Sequence, residues 1–200
     1  MDQTECNFAE YLSQKASVEE KHIKQVMTLV DTQNFSKGEV VLSAGERCRH
    51  IFYVEKGLLR FYSLSEDGKE HIVQFGAEGW FVGDRSSFYF DEPSAYYIDA
   101  VENAQVVLIG HDFFDQAGTI SEEYRSYNEF LLQNHVRHLQ NRINLLISAP
   151  AEKRYLDFVK MYPDLMLRVP QWMVASYLGI TPEGLSRVRK QLAEKNFRPD

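Results

Sequence analysis

The sequence has 200 residues, of which 44% are hydrophobic and 13% aromatic, and its formal net charge at pH 7 is −7. This composition supports one large or two small folded domains and excludes a disordered chain. No apolar run approaches the ~18 residues of a membrane helix, and the first residues lack the pattern of a signal peptide, so we expect a cytoplasmic protein without a membrane partner.

The cysteine and histidine content limits the metal chemistry that we expect. Cys6 and Cys48 are the two cysteines, which suits a reducing compartment. Two thiols are too few for an iron–sulfur cluster held by four cysteines of one chain. The six histidines are scattered and form no His-x-His pair, so no metal site is predicted.

The N-terminal segment is predicted to be helical over residues 8–31. Within it, Ser17 and Glu20 have the spacing of a capping box, in which Ser17 caps a helix and Glu20 bonds back to it.

From Phe35 to about Ile109, short apolar runs alternate with turns that contain glycine. Asp67 and Gly68 stand between two such runs, which is a strong pattern for a β-hairpin. Strands at this spacing predict a closed β-sandwich or jelly roll.

A long helix is predicted from Ser121 to the segment before Pro150. One narrow face of it carries apolar residues at alternating intervals of four and three, the period of a coiled coil: Leu132, Val136, Leu139, Ile143 and Leu146. These residues could instead pack on their own domain. A second apolar pair, Phe130 and Leu131, is available for that contact, so we predict a parallel homodimer along the five-residue seam.

The charge is unevenly distributed along the chain. Residues 151–200 carry nine Lys and Arg against six Asp and Glu, a net charge of +3, whereas residues 1–150 carry 13 against 23, a net charge of −10. This asymmetry indicates a module that binds a polyanion, attached to a part that does not.

The basic segment contains PQWMVASYLGITPEGLSRVRKQL, which fits a helix-turn-helix. Ala175 is small enough for the second helix to cross closely, and Gly179 suits the positive φ of the turn. Thr181 can cap the second helix, which Pro182 then begins. A plain helical hairpin with a glycine turn is the alternative.

The outward face of the second helix is predicted to bind double-stranded DNA. Glu183 and Arg187 are the candidates for base readout, while Arg189 and Lys190 are candidates for phosphate contacts. The predicted DNA-binding residues are Thr181, Pro182, Glu183, Ser186, Arg187, Arg189 and Lys190.

This order of elements resembles the Crp–Fnr family of bacterial transcription regulators. FSKGEVVLSAGERCRHIFYVEKGLLRFY is similar to the start of a cyclic-nucleotide-binding domain, and GLSRVRK is similar to the recognition helix of the family. In that family a Glu and an Arg four residues apart contact DNA, and Glu183 and Arg187 match them. Pro182 stands where the family often has Arg, so the usual DNA half-site is not assumed.

The resemblance implies an α+β fold with an N-terminal β-roll (a double-stranded β-helix or jelly roll), a long dimerisation helix and a C-terminal helix-turn-helix domain. We expect a sensor domain over 1–120 with N-terminal helices, the dimerisation helix over 121–149 and the DNA-binding domain over 150–200. The recognition helix lies near the end of the sequence, so we expect no β-hairpin wing after it.

The resemblance also locates a candidate effector pocket. Members that bind cyclic AMP have Gly-Glu followed, some ten residues later, by an Arg that holds the phosphate. Here Gly83-Asp84 matches the Gly-Glu pair, with Arg85 beside it. At the second position Ser94 stands in place of the Arg and is followed by Ala95. Without that cation, tight binding of cyclic AMP is not expected. The pocket is either a structural relic or a site for another small ligand.

The sequence therefore predicts a homodimeric regulator of transcription that binds a roughly palindromic DNA site. RNA polymerase and an unknown small-molecule effector are further candidate partners, and no cofactor is predicted. One alternative is a small-ligand sensor that acts through protein contacts without sequence-specific DNA binding. Another is a cupin-type enzyme, which the scattered histidines argue against.

Overall fold

The structure is a computed structural model that describes residues 7–196. The chain divides into two compact units. The first holds the residues up to Lys69 together with Val73–Leu132, and the second holds Glu70–Ile72 together with the residues from Gln133 onward. Cys6 lies outside the described residues. Within the described range, no helix is long and apolar enough to cross a membrane.

The N-terminal segment is helical in several short elements, and the predicted helical stretch over residues 8–31 ends early because the first strand begins at Val30. The elements are α1 (Phe8–Ala16), α2 (Glu20–Val26), a 3-10 turn (Met27–Leu29) and the first strand, β1 (Val30–Phe35). Asn7 caps α1 by accepting hydrogen bonds from the backbone N–H groups of Ala9 and Glu10.

The predicted capping box is wrong. Ser17 lies at the C-terminus of α1 in the left-handed conformation, with φ 55°, and α2 begins without a side-chain cap. The turn at Ser17 lets the next residue, Val18, join the core against Phe8 and Leu12. Burial of Val18 therefore overrides the local capping pattern.

The β domain consists of two four-stranded sheets. After β1 its strands are β2 (Val40–Leu42), β3 (Ile51–Lys56), β4 (Leu59–Leu64), β5 (Glu70–Gly76), β6 (Phe81–Val82), β7 (Tyr97–Ala100) and β8 (Ala104–Ile109). The strand orders are β1-β8-β3-β6 and β2-β7-β4-β5. The hairpin predicted at Asp67-Gly68 is confirmed, because Gly68 has φ 78° and joins β4 to β5.

Two apolar clusters hold this unit together, one on each face of the first sheet. Alternate side chains of β3, including Phe52 and Val54, pack in the interior against Leu59 and Phe61 of β4. On the opposite face of β3, Tyr53 packs against Phe8 of α1, at 4.9 Å between ring centroids. The β-roll therefore has a filled interior and a helical cover on one face.

The remaining helices are α3 (Arg85–Phe90), α4 (His111–Ile120), α5 (Glu122–Ser148), α6 (Ala151–Met161), α7 (Leu165–Arg168), α8 (Gln171–Leu178) and α9 (Pro182–Asn196). The α+β class is confirmed, and α5 ends before Pro150 as predicted. The residues of α5 that pack on the β domain differ from the predicted pair, Phe130 and Leu131. Tyr124 and Tyr127 pack on the core, whereas Phe130 is 58% exposed.

Candidate DNA-binding interface

The turn between α8 and α9 has the geometry of a helix-turn-helix. Gly179 adopts φ 63° and donates its N–H to the carbonyl of Ser176, while Ile180 donates to the carbonyl of Ala175. A Cβ at position 179 would lie 3.3 Å from Arg154 Nη1. The left-handed backbone therefore favours glycine here, and a larger residue would also have to displace neighbouring side chains slightly.

The N-terminus of α9 is capped as predicted. The hydroxyl oxygen of Thr181 accepts a hydrogen bond from the backbone N–H of Gly184 at 3.1 Å. Pro182 is the first residue of the helix, where a backbone donor would have no partner within the helix.

The inward faces of α8 and α9 form the core of the helical unit. The helix-turn-helix spacing places five residues in the core, and of these Val174, Leu178, Leu185 and Val188 are buried while Ile180 is half-buried. Ala175 at the helix crossing is buried as well. An aromatic cluster that the sequence analysis missed completes this core: Phe158, Tyr162 and Tyr177. The four-residue interval between Phe158 and Tyr162 on a helix was the available sequence signal.

Two arginines from outside the motif hold the C-terminus of α8. Arg142 of α5 donates to the carbonyl of Tyr177 at 2.7 Å and lies over the Tyr177 ring, at 3.6 Å from its centroid. Arg154 of α6 donates to the carbonyl of Leu178 at 2.6 Å. The last carbonyls of a helix have no partner within it, so these cations satisfy them and favour the negative end of the helix dipole.

The predicted DNA-binding residues lie together on the exposed surface around the start of α9. All seven side chains are exposed: Thr181, Pro182, Glu183, Ser186, Arg187, Arg189 and Lys190. The backbone N–H of Glu183 and the Thr181 hydroxyl lower the pKa of the Glu183 carboxyl, and Arg187 adds a smaller effect. Glu183 is therefore an ionised acceptor, one turn from a guanidinium donor.

The candidate effector residues form a closed hydrogen-bond network around one buried carboxylate. Asp84 accepts hydrogen bonds from the N–H groups of Ser86 and Ser87, at 3.0 and 3.2 Å, and from the Ser94 hydroxyl at 2.8 Å. Asp84 thus caps α3, and its negative charge lies where donors converge. The structure brings Asp84 and Ser94 of the candidate pocket into contact.

The other three candidate effector residues do not join this network. The guanidinium of Arg85 lies 5.9 Å from the centroid of the Tyr89 ring. Ala95 is exposed, and Gly83 packs closely enough on Ile51 that a Cβ would lie 2.7 Å from its Cδ1. Among the described residues, no group of three or more His, Cys, Asp or Glu side chains could hold a metal ion.

Comparisons with known proteins agree with this architecture. A cyclic nucleotide-binding domain model matches residues 32–119. The anaerobic regulatory protein of Haemophilus influenzae is 26% identical over 184 residues, covering 86% of this chain and 71% of that protein. The fumarate and nitrate reduction regulatory protein of Yersinia pestis is 22% identical, covering 90% of this chain and 76% of that protein.

Solved structures show the same fold. FixK2 from Bradyrhizobium japonicum superposes with a TM-score of 0.70 at 20% identity, covering 86% of this chain and 88% of its own. A CooA mutant from Carboxydothermus hydrogenoformans superposes with a TM-score of 0.71 at 18% identity, covering 98% of this chain and 86% of its own. This chain belongs to the Crp–Fnr family. It is a DNA-binding transcription regulator and not an enzyme.

Crp–Fnr regulators act as dimers, and α5 carries the stripe that the sequence analysis assigned to this contact. In the single chain the five seam residues are between 39% and 56% exposed: Leu132, Val136, Leu139, Ile143 and Leu146. Five large apolar side chains on one face of a helix form a surface that pairing with another helix would bury.

Proposed function

We propose that this Crp–Fnr chain forms a homodimer through the α5 seam and binds a roughly palindromic DNA site through α9. Glu183 and Arg187 would contact bases in the major groove, while Arg189 and Lys190 would contact phosphates. The observation that carries this proposal is the exposed, cationic face of α9 behind a turn fixed by Gly179 and Thr181. Such a regulator acts in the cytoplasm, where its DNA is accessible.

The β-roll is proposed as the unit that receives an effector other than cyclic AMP. Asp84 already supplies a negative charge to the donors at the start of α3, so a cyclic phosphate would add a second anion beside it. The segment around Ser148–Ala151, where α5 ends and α6 begins, is the proposed hinge through which the effector changes the position of α9. RNA polymerase is the proposed protein partner on DNA.

The direct test is to select bound fragments from the genomic DNA of the encoding bacterium and to measure their affinity as salt rises. We expect the fragments to share a pseudo-palindrome and the affinity to fall steeply with salt, because bound phosphates release counterions. Absence of binding at low salt would contradict the proposal. Binding without any enriched sequence would leave a non-specific DNA-binding protein and would also contradict it.

A further inference from the structure

A cavity of about 600 Å³ opens at the surface of the helical unit, between the C-terminal half of α5, α6 and the end of α8. Part of its wall is apolar and is formed by side chains such as Leu145, Phe158 and Met161. The volume and the mixed lining are those of a site for a small organic molecule.

The polar part of the wall is strongly cationic. Arg142, Lys153, Arg154 and Lys160 line the cavity, and the acidic side chain among the described lining residues is Asp157. Asp157 pairs with Lys153 at 3.1 Å, so three cations remain without a lining carboxylate to balance them. A small anion would compensate this charge.

Arg154, which lines this wall, also carries a covered donor without an acceptor. The Nε of Arg154 is buried and has no hydrogen-bond partner within the described part of the chain. The Nη1 of the same guanidinium donates a hydrogen bond to the carbonyl of Leu178. Because Nε itself is covered by protein atoms, a ligand carboxylate would pair with the part of the guanidinium that lines the cavity.

Two basic groups of the lining are partly screened from water. Burial lowers the pKa of Arg142, and burial together with Arg142 lowers the pKa of His138. An ionic hydrogen bond in such surroundings is stronger than one at an open surface.

We propose that this cavity binds a small organic carboxylate, with its charge at Arg154 and its apolar body against Phe158 and Met161. Arg154 also holds the last carbonyl of α8, so we expect occupancy to change the DNA affinity of α9. This second consequence rests on the proposed function, whereas direct binding to the cavity does not.

The test uses octanoate and the neutral octan-1-ol, titrated into the full-length protein in a calorimeter. We expect one octanoate per chain and binding of octanol that is weaker by about tenfold or more, because the alcohol lacks the charge. Arg154→Gln should weaken the binding of octanoate by about tenfold or more. Arg137→Gln removes the same charge from an exposed position on α5 outside the cavity and should leave the affinity unchanged.

Circular dichroism establishes whether Arg154→Gln is folded, because this change also removes a contact to α8. If it is not folded, Lys160→Gln at the exposed rim replaces it, with an expected loss of about threefold. Failure of octanoate to bind would overturn the proposal, and so would equal binding of octanol. A folded Arg154→Gln, or in its place Lys160→Gln, that binds octanoate like the parent would also overturn it. Because calorimetry contains no DNA, these outcomes are distinct from a failure of DNA recognition.

Discussion

Arg187 and Glu183 lie one turn apart on the exposed face of α9, where Arg187 Nε is 3.4 Å from the carbonyl oxygen of Glu183. A guanidinium so placed can donate two hydrogen bonds to one guanine, whereas a carboxylate accepts from cytosine. The two residues therefore offer opposite and separable base preferences.

We expect Arg187→Ala to weaken binding of the selected site by about 1–3 kcal/mol and to relax specificity at one base pair. The measurement is affinity for a panel of sites that differ by single base pairs. Arg189→Ala is the control, since loss of a phosphate contact lowers affinity for all sites alike. A uniform loss for Arg187→Ala would make Arg187 a phosphate contact instead.

Asp84 leads to a prediction for cyclic AMP. Its carboxylate is buried and accepts hydrogen bonds from the Ser87 N–H and the Ser94 hydroxyl. The cyclic phosphate would therefore meet an anion, and Ser94 stands where members that bind cyclic AMP have their arginine. We expect millimolar cyclic AMP to leave the melting temperature unchanged. A family member known to bind cyclic AMP serves as the positive control, and a clear saturable rise for this protein would refute the interpretation.

His138 makes the stability depend on pH in a defined direction. Burial lowers its pKa in the folded chain from the ordinary value of about 6.5, so the unfolded chain binds the proton more readily. Its contribution is present above about pH 6.5 and is lost as the pH falls through the lower folded value. His50 of the other unit, whose pKa burial also lowers, acts in the same direction.

We expect His138→Gln to reduce the loss of unfolding free energy between about pH 7.5 and 5.5, measured by urea unfolding. Part of the loss should persist because His50 remains. An unchanged loss in this variant would show that protonation of His138 does not limit stability.

The helix α5 carries a row of large apolar side chains that the single chain leaves exposed. Its seam spans Leu132 to Leu146, and Val136 and Ile143 lie near its middle, with 43% and 56% of their surface exposed. Val136→Glu with Ile143→Glu should give folded monomers, because two carboxylates per chain would be buried in the helix pair. Light scattering measures the mass.

The matched control for this variant is Gln133→Glu with Gln140→Glu, which adds the same charge at exposed positions seven residues apart on α5. It should remain dimeric. A dimeric Val136→Glu, Ile143→Glu variant would place the interface elsewhere and remove the support for the seam.

The assembled regulator implies a fixed distance between two recognition helices. In the proposed dimer, two copies of α9 related by a two-fold axis would contact successive major grooves about 34 Å apart. Inserting about half a helical turn of DNA between the half-sites should therefore abolish tight binding, while inserting a full turn should restore part of it. Equal binding to all spacings, measured by fluorescence anisotropy, would mean that one α9 binds alone.

Much of the helix-turn-helix was predictable because its constraints are local. Gly179 sets a backbone angle, Thr181 caps the next turn, and the apolar positions of α8 and α9 follow the helical period. The same applies to the Asp67-Gly68 hairpin, where the turn chemistry lies within the segment that it shapes.

Contacts between distant residues needed the tertiary structure. Arg142 and Arg154 donate to the carbonyls of residues that lie 35 and 24 positions further along the chain. The sequence does not predict these hydrogen bonds, because an arginine can donate to any acceptor that the fold brings within its reach. The cavity beside them was not predictable for the same reason.

At Ser17 the local pattern and the fold disagree, and the fold prevails. The capping box was a valid local arrangement, yet burying Val18 against the β-roll is worth more than one cap. Phe130 likewise offered an apolar side chain at a plausible place, but Tyr124 and Tyr127 fit the core. Local backbone geometry and periodicity thus follow from the chain's own order, whereas which apolar or charged group finds a partner depends on surfaces that only folding brings together.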